Sequence, residues 1–239
     1  MKLYPKNFWI VDKGLSARID QVNLESLVKT LNSSLLQNAP QTIPFEARAY
    51  FFRAVVSAER EQRQHMSMFG MMHNEGHEIR RDYLVEDAFD KLYPKGEDIK
   101  DRLRILFIDE NYMREEGIDG GGLTKEFLTK LTEAIFNPHY GYFTETPVDH
   151  KIYPNYLSPL NDLNYVHRFR FFGMVVGKAI YEGILLKCSF ARFFLNRFAE
   201  NPGSITGSRN QVDDLSSLDP ELYKNLMFLK YYDGNAEDL

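Results

Sequence analysis

Apolar positions recur at helical spacing in two stretches near the start of the chain. Within residues 20–38 the leucines and a valine lie three or four positions apart, and Asp20 precedes them as a helix cap. After a proline-containing break, Pro44 suits the first turn of a second helix, whose apolar side chains share one face. The pattern predicts two amphipathic helices, the second with a solvated, charged end at Glu59–Arg63.

The stretch after the second predicted helix differs in composition and in its hydrophobic pattern. Residues 64–78 are rich in Met and Gly and have no regular hydrophobic period, which predicts a loop or linker. We therefore expect a boundary near residue 78. It divides the chain into a helical extension with its linker, residues 1–78, and a domain, residues 79–239.

Further elements are predicted between residues 79 and 163. Residues 79–92 indicate a short strand or turn that enters a helix, and the branched, apolar residues 103–109 indicate a buried strand. The turn-rich segment 137–163 predicts one or two short hairpins around Tyr142 and Ile152. Between them, a glycine-rich turn is followed by a helical apolar stripe at Leu123, Phe127, Leu131, Ala134 and Ile135.

The most apolar stretch, residues 165–186, predicts a central buried helix. Gly173 and Gly177 lie four positions apart in it, so we expect another element to approach that face closely. Ser189 is placed to cap a further helix, and the pair Asp219–Pro220 is typical of the cap and first turn of a last one. The predicted fold is mainly α (α+β), with a few short strands.

Composition excludes several classes of protein. With 239 residues, of which 44% are apolar, the chain can bury one sizeable core or two small ones, which argues against disorder. A net charge of -5 does not favour nucleic-acid binding. No apolar run is long enough to span a membrane, and the opening residues lack the features of a signal peptide. We expect a cytoplasmic or nuclear location, with no nucleic-acid or membrane partner.

The single cysteine, Cys188, excludes an internal disulfide and a multi-cysteine zinc site. Small buried cysteines are common between a helix end and the next helix start, so we interpret it as structural. A reactive role stays open, because Lys187 and the following helix could lower its pKa. His73 and His77 have the four-residue spacing of a metal site, but Gly76 weakens a helix there. No metal or cofactor is expected.

The glycine-rich run at residues 117–122 invites comparison with a phosphate-binding loop. Gly117 and Gly122 have that motif's separation, but Leu123 stands where its lysine would be, and Lys125 follows too late. A nucleotide site is therefore disfavoured. We interpret the run as a structural turn formed by Asp119, Gly120, Gly121 and Gly122, with Asp119 bonded to local backbone donors.

Six motifs resemble, in order and approximate spacing, the N-terminal lobe (N-lobe) of HECT-type ubiquitin ligases. The resemblance covers about residues 79–239. The motifs are EDAFDKL (Glu86–Leu92), GIDGGGLTKEF (Gly117–Phe127), FNPHYGYF (Phe136–Phe143), YPN (Tyr153–Asn155), FFGMVVGKAIYEGILL (Phe171–Leu186) and LDPELYKNL (Leu218–Leu226).

The resemblance implies a platform for ubiquitin transfer. In the family, the N-lobe docks a ubiquitin-conjugating enzyme, and a C-lobe cysteine accepts ubiquitin as a thioester before passing it to a lysine of a protein substrate. That cysteine lies past the point matching Leu239, so Cys188 is not its counterpart. We expect this chain alone to be inactive. The alternative function is a non-catalytic ubiquitin-binding or scaffolding module.

The resemblance also implies two binding surfaces. Leu222, Asn225 and Leu226 match one wall of the groove for the conjugating enzyme, whose remaining parts match sequence after Leu239. We therefore expect weak binding or none. Tyr140 and Phe190 match aromatic residues that hold a second ubiquitin in some members. An alternative is that these two rings only pack in or beside the core.

Overall fold

The computed structural model describes residues 44–69, 76–115, 122–198 and 212–234, and the chain divides into two compact units, Met1–His73 and Asn74–Leu239. In the first unit, helix α1 spans Phe45–Phe69. The helix predicted to start near Pro44 is confirmed, but it continues through residues 64–69, where a loop was predicted. That stretch contains no Gly or Pro before Gly70, so nothing in it ends a helix. The helix predicted at residues 20–38 lies outside the described residues.

The second unit begins with a strand–helix–strand crossover. Strands β1 (His77–Arg80) and β2 (Ile105–Ile108) pair in parallel, with His77 opposite Ile105 and Arg80 opposite Ile108. A 3-10 turn leads into helix α2 (Leu84–Leu92), and a second 3-10 segment, Tyr93–Lys100, returns the chain. Parallel strands require such a crossover. The predicted domain boundary near residue 78 falls inside β1.

Helix α3 and a hairpin follow. Helix α3 spans Gly122–Ile135, and strands β3 (Phe143–Glu145) and β4 (Ile152–Pro154) pair antiparallel. The hairpin predicted around Tyr142 and Ile152 is therefore confirmed. The remaining helices are α4 (Ser158–Asn161), α5 (Tyr165–Tyr181), α6 (Arg192–Phe198), α7 (Val212–Leu218) and α8 (Pro220–Lys230).

Helix α5 is buried along one face only. Phe171, Phe172 and Val175 lie in the core, whereas Gly173 and Gly177 are exposed. Apart from the neighbouring residues and backbone of α5 itself, no described residue lies within 4 Å of the place where a Cβ at either glycine would stand. The predicted close approach of another element at these glycines is wrong. Both glycines lie on the solvent side of α5. The four-residue spacing of two glycines does not by itself show whether their side of the helix faces another element or water.

Helix α6 starts later than the sequence indicates. Ser189 does not cap it, because residues 189–191 run beside β4: the Ser189 carbonyl accepts from the Ile152 N–H, and the Ala191 N–H donates to the Ile152 carbonyl. This pairing holds the backbone extended until Arg192, where the helix begins.

The core of the second unit lies between α2, α3 and α5 and is rich in aromatic rings. Phe171 meets Phe89 of α2 edge to face at 5.4 Å, and Phe127 of α3 lies 6.4 Å from Phe107 of β2. Such pairs add to the stabilisation from burial. The prediction of a mainly α fold with short strands is confirmed. Among the described residues, no helix is long and apolar enough to cross a membrane.

Candidate functional site

Helix α8 presents an apolar surface. The Asp219 carboxylate accepts the Leu222 backbone N–H at 2.9 Å, and Pro220 occupies the first turn, so the predicted cap is confirmed. Leu222 and Leu226 share one side of the helix and are 46% and 41% exposed. Asn225 is exposed as well. No residue of α8 is buried.

The apolar surface of α8 extends toward its C-terminal end. Phe228, Leu229 and Tyr231 are all exposed, and the Phe228 ring lies 5.6 Å from that of Tyr232. Contiguous exposed apolar side chains of this kind mark interaction surfaces on soluble proteins. The three residues predicted for the conjugating-enzyme groove therefore lie on an accessible surface, and their role stays a prediction.

Tyr140 lies at the edge of the core. Its hydroxyl donates to the Glu86 carboxylate at 3.0 Å, and its ring lies 5.3 Å from that of Tyr142. Burial, with the neighbouring Glu86 charge, raises the pKa of Tyr140. The side chain is half-buried and held at its polar end, so only part of the ring is open to a partner.

Phe190 is also half-buried, beside the hairpin. It bridges to Ile152 of β4 and meets Phe136 edge to face at 5.2 Å. The Phe136 ring in turn meets Phe143 at 4.9 Å. From Phe143, ring contacts continue through Phe172 and Tyr142 to Tyr140. Both rings pack in or beside the core, which agrees with the alternative that packing is their role. Ubiquitin binding by either residue stays a prediction.

Cys188 lines a small pocket of about 200 Å³. Burial raises the pKa of its thiol, the opposite of what a nucleophile requires. The neighbouring Lys187 amine donates to the Glu133 carboxylate at 2.5 Å. This environment does not activate the thiol and supports the structural interpretation. The other residues lining the pocket are Thr132, Glu133, Phe136, Asn137 and Lys187.

The glycine-rich turn is only partly within the described residues. Asp119, Gly120 and Gly121 lie outside them, and Gly122 is the exposed first residue of α3. Arg81 connects the two sides of the turn: it donates twice to Glu115, at 2.5 and 2.7 Å, and once to Glu126 of α3, at 2.8 Å. Sequence reasoning missed Arg81, because its partners are distant along the chain.

Residues 129–239 match the HECT-domain (ubiquitin-transferase) family. The chain is 39% identical to a probable E3 ubiquitin protein ligase of Schizosaccharomyces pombe and 38% identical to the E3 ubiquitin-protein ligase UPL6 of Arabidopsis thaliana. It is 36% identical to the ubiquitin-protein ligase E3B of Homo sapiens. The chain belongs to the HECT-domain family. Each comparison covers 86% of this chain but only 19% of the relative.

This HECT-domain chain carries a second exposed apolar segment that sequence reasoning missed. Between β4 and α5, Tyr156, Leu160 and Leu163 are all strongly exposed. A hydrogen bond connects this segment to the rest of the unit: the Tyr142 hydroxyl donates to the Asp162 carboxylate at 2.5 Å. Burial, together with the hydrogen bond to Asp162, raises the pKa of Tyr142 to about 12. The only sequence signal was apolar residues in a stretch without a regular period.

Metal binding has no support among the residues that the structure describes in this HECT-domain chain. No group of three or more His, Cys, Asp or Glu side chains there is arranged to hold an ion. His77, whose spacing from His73 suggested a metal site that Gly76 argued against, lies in β1, and burial lowers its pKa.

Proposed function

We propose that this chain supplies the docking platform of a HECT-type ubiquitin ligase. In the complete reaction, a cysteine thiolate attacks the thioester carbonyl of a charged conjugating enzyme, whose own thiolate leaves. A lysine amine of a protein substrate then attacks the new thioester, and the cysteine thiolate leaves. The proposed partners are a ubiquitin-conjugating enzyme, ubiquitin and protein substrates, met in the cytoplasm or nucleus.

The observation that carries the proposal is the exposed apolar side of α8. Leu222 and Leu226 are half-exposed although they belong to a motif of the family. Leaving leucines open to water is unfavourable unless a partner buries them. The cap at Asp219 fixes where the helix begins and therefore which side chains face outward.

The docking proposal is tested by adding the chain to an isotope-labelled conjugating enzyme and following the enzyme's NMR signals. We expect small shifts and a Kd weaker than about 1 µM, a binding free energy weaker than roughly -8 kcal/mol. Leu226→Ala removes the shifts. Leu160→Ala, which truncates an exposed leucine outside α8, leaves them unchanged.

Two outcomes contradict these expectations. One is micromolar or tighter binding, which is stronger than the weak binding expected of this chain. The other is equal loss of binding in Leu226→Ala and Leu160→Ala, which would show that α8 is not the contact. Circular dichroism of each variant establishes that the fold is retained.

We also propose that the 239 residues alone form no ubiquitin thioester. Their single cysteine has a raised pKa, and its neighbouring amine is paired with Glu133. The test is incubation with activating enzyme, conjugating enzyme, ATP and ubiquitin, followed by electrophoresis with and without thiol reductant. An adduct that reductant removes and that Cys188→Ser abolishes would overturn this proposal.

A second candidate function is non-catalytic ubiquitin binding through Tyr140 and Phe190. It is favoured by the partial exposure of both rings and by the exposed segment that includes Tyr156. Ubiquitin NMR shifts that persist unchanged in folded Tyr140→Ala and Phe190→Ala variants would remove this candidate.

A further inference from the structure

A tight loop follows β2 and is held rigid by one carboxylate. The Asp109 side chain accepts the Asn111 and Met113 backbone N–H groups at 2.9 and 2.8 Å. The Asp109 N–H donates to the Met113 carbonyl, and Ile108 then pairs with Arg114 across the base of the loop. A loop fixed in this way loses little conformational entropy when a partner binds.

The tip of this loop displays two large apolar side chains. Tyr112 is 78% exposed and Met113 is 65% exposed. Tyr112 has a φ of 61°, in the left-handed region that a residue with a bulky side chain rarely adopts. Its ring packs on no other aromatic ring of the described part of the chain. A strained residue whose side chain is not used for packing points to a role in function.

Tyr83 and Arg80 lie beside the loop. The Arg80 guanidinium lies 4.3 Å from the centre of the Tyr83 ring, and Tyr83 is half-exposed. Arg80 lies opposite Ile108 in the parallel sheet, and Ile108 directly precedes the loop, so Arg80 lies beside the base of the loop. Tyrosine, arginine and methionine are enriched in protein interfaces. We call Arg80, Tyr83, Tyr112 and Met113 the Tyr112 surface.

The border of the Tyr112 surface is acidic. Each arginine near it is already paired with a carboxylate: Arg80 with Asp87, Arg81 with Glu115 and Arg114 with Glu78. Asp82 and Glu110 are exposed, and neither has an ion-pair partner among the described residues. Complementary charge therefore favours a partner with basic side chains around its contact area.

We propose that the Tyr112 surface docks a protein face that is apolar at its centre and bordered by lysine or arginine. In the ligase function proposed above, on which this inference rests, the occupant is ubiquitin. Tyr112 and Met113 enter the apolar centre, while Asp82 and Glu110 face the basic border. The surface contains no residue of α8, and neither Tyr140 nor Phe190 belongs to it.

The test follows the Met113 methyl group directly. The full chain is labelled at its methionine methyl groups, and the Met113 signal is assigned by its loss in Met113→Leu. We expect unlabelled ubiquitin to shift this signal saturably, and high salt to weaken the effect because exposed charges are screened. Tyr112→Asn keeps the left-handed backbone while removing the ring. It raises the Kd about tenfold, as the loss of an interface hot spot does.

Controls separate this site from the others. Tyr156→Asn removes an equally exposed tyrosine elsewhere and leaves the Met113 shift unchanged. A Met113 signal that does not move with ubiquitin at about 1 mM, a binding strength of only roughly -4 kcal/mol, overturns the proposal. Equal shifts in wild type and Tyr112→Asn overturn it as well. The α8 docking test follows the signals of the conjugating enzyme, whereas this test follows the Met113 signal. Failure of one proposal can therefore be distinguished from failure of the other.

The strained backbone at Tyr112 allows a second test, in which the melting temperature is measured. Tyr112→Gly removes the ring and relieves the left-handed backbone, so we expect a higher melting temperature together with weaker ubiquitin binding. Glycine also raises the entropy of the unfolded chain, so Tyr112→Asn is melted in parallel. A melting temperature below wild type in both variants would show that the ring supports the fold, and would overturn the proposal.

Discussion

Lys178 is the most informative position for testing how this fold is held together. Its side chain is 0% exposed, and its amine donates to the carbonyls of Lys100 and Asp101 at 3.0 and 2.9 Å. It also donates to the Glu182 carboxylate at 2.6 Å. The amine therefore fastens α5 to the end of the 3-10 segment 93–100. Lys178→Met removes these three interactions and keeps the length of the side chain.

The expected loss is about 3 kcal/mol of unfolding free energy. Hydrogen bonds to charged groups contribute about 1.5–3 kcal/mol each, and removing one partner of a buried ion pair costs about 3–5 kcal/mol. Two effects reduce the loss: the Glu182 side chain is partly exposed and can regain water, and the methionine is apolar. Since the surface exposed on unfolding hardly changes, the urea m value stays constant and the midpoint falls by about 1 M.

Urea unfolding followed by far-ultraviolet circular dichroism measures this loss. Lys187→Met is the matched control, because Lys187 also pairs with a carboxylate, Glu133, but is 69% exposed. Exposed pairs contribute little, so its midpoint stays at the wild-type value. Equal midpoints for Lys178→Met and Lys187→Met would refute the reasoning that burial decides the contribution of these amines.

Three further predictions concern pH, reactivity and backbone conformation. Hydrogen bonds from Arg80 lower the pKa of Asp87, so its stabilising contribution is complete above the ordinary carboxyl pKa and is lost as pH falls through the folded value. Urea midpoints should therefore drop less between about pH 5 and 3 in Asp87→Asn than in wild type. Burial raises the pKa of Cys188, so iodoacetamide should label it more slowly than a free cysteine, and a free-thiol rate would contradict this. Gly141→Ala should lower stability by about 1 kcal/mol or more because φ is 90°. Gly177→Ala, within exposed helix, should raise it by up to about 1 kcal/mol, and thermal melts of the two variants check the signs.

Elements defined by neighbouring residues were predicted well. The Asp219 cap, the apolar strand at residues 105–108 and the hairpin at residues 143–154 depend on contacts between residues close in sequence. Predictions failed where a distant segment decided the outcome. Ser189 has the chemistry of a cap, yet pairing with Ile152 keeps its backbone extended.

The candidate sites divide in the same way. Motifs indicated Leu222 and Leu226, but only the folded chain places them on a helix with no buried residue. Tyr140 was also indicated by its motif, and its bond to Glu86 came from a residue 54 positions away. No spacing rule predicts such a partner.

By itself, the sequence determined where most helices and strands form and to which family the chain belongs, because both depend on residue types in local order. Only the tertiary structure decided which side chains are buried, which charges pair and which apolar residues stay exposed. Lys178 and Lys187 are both lysines with a carboxylate partner, yet one is enclosed and the other is open to water. Packing between distant segments makes that difference, since it sets how much water each charge retains.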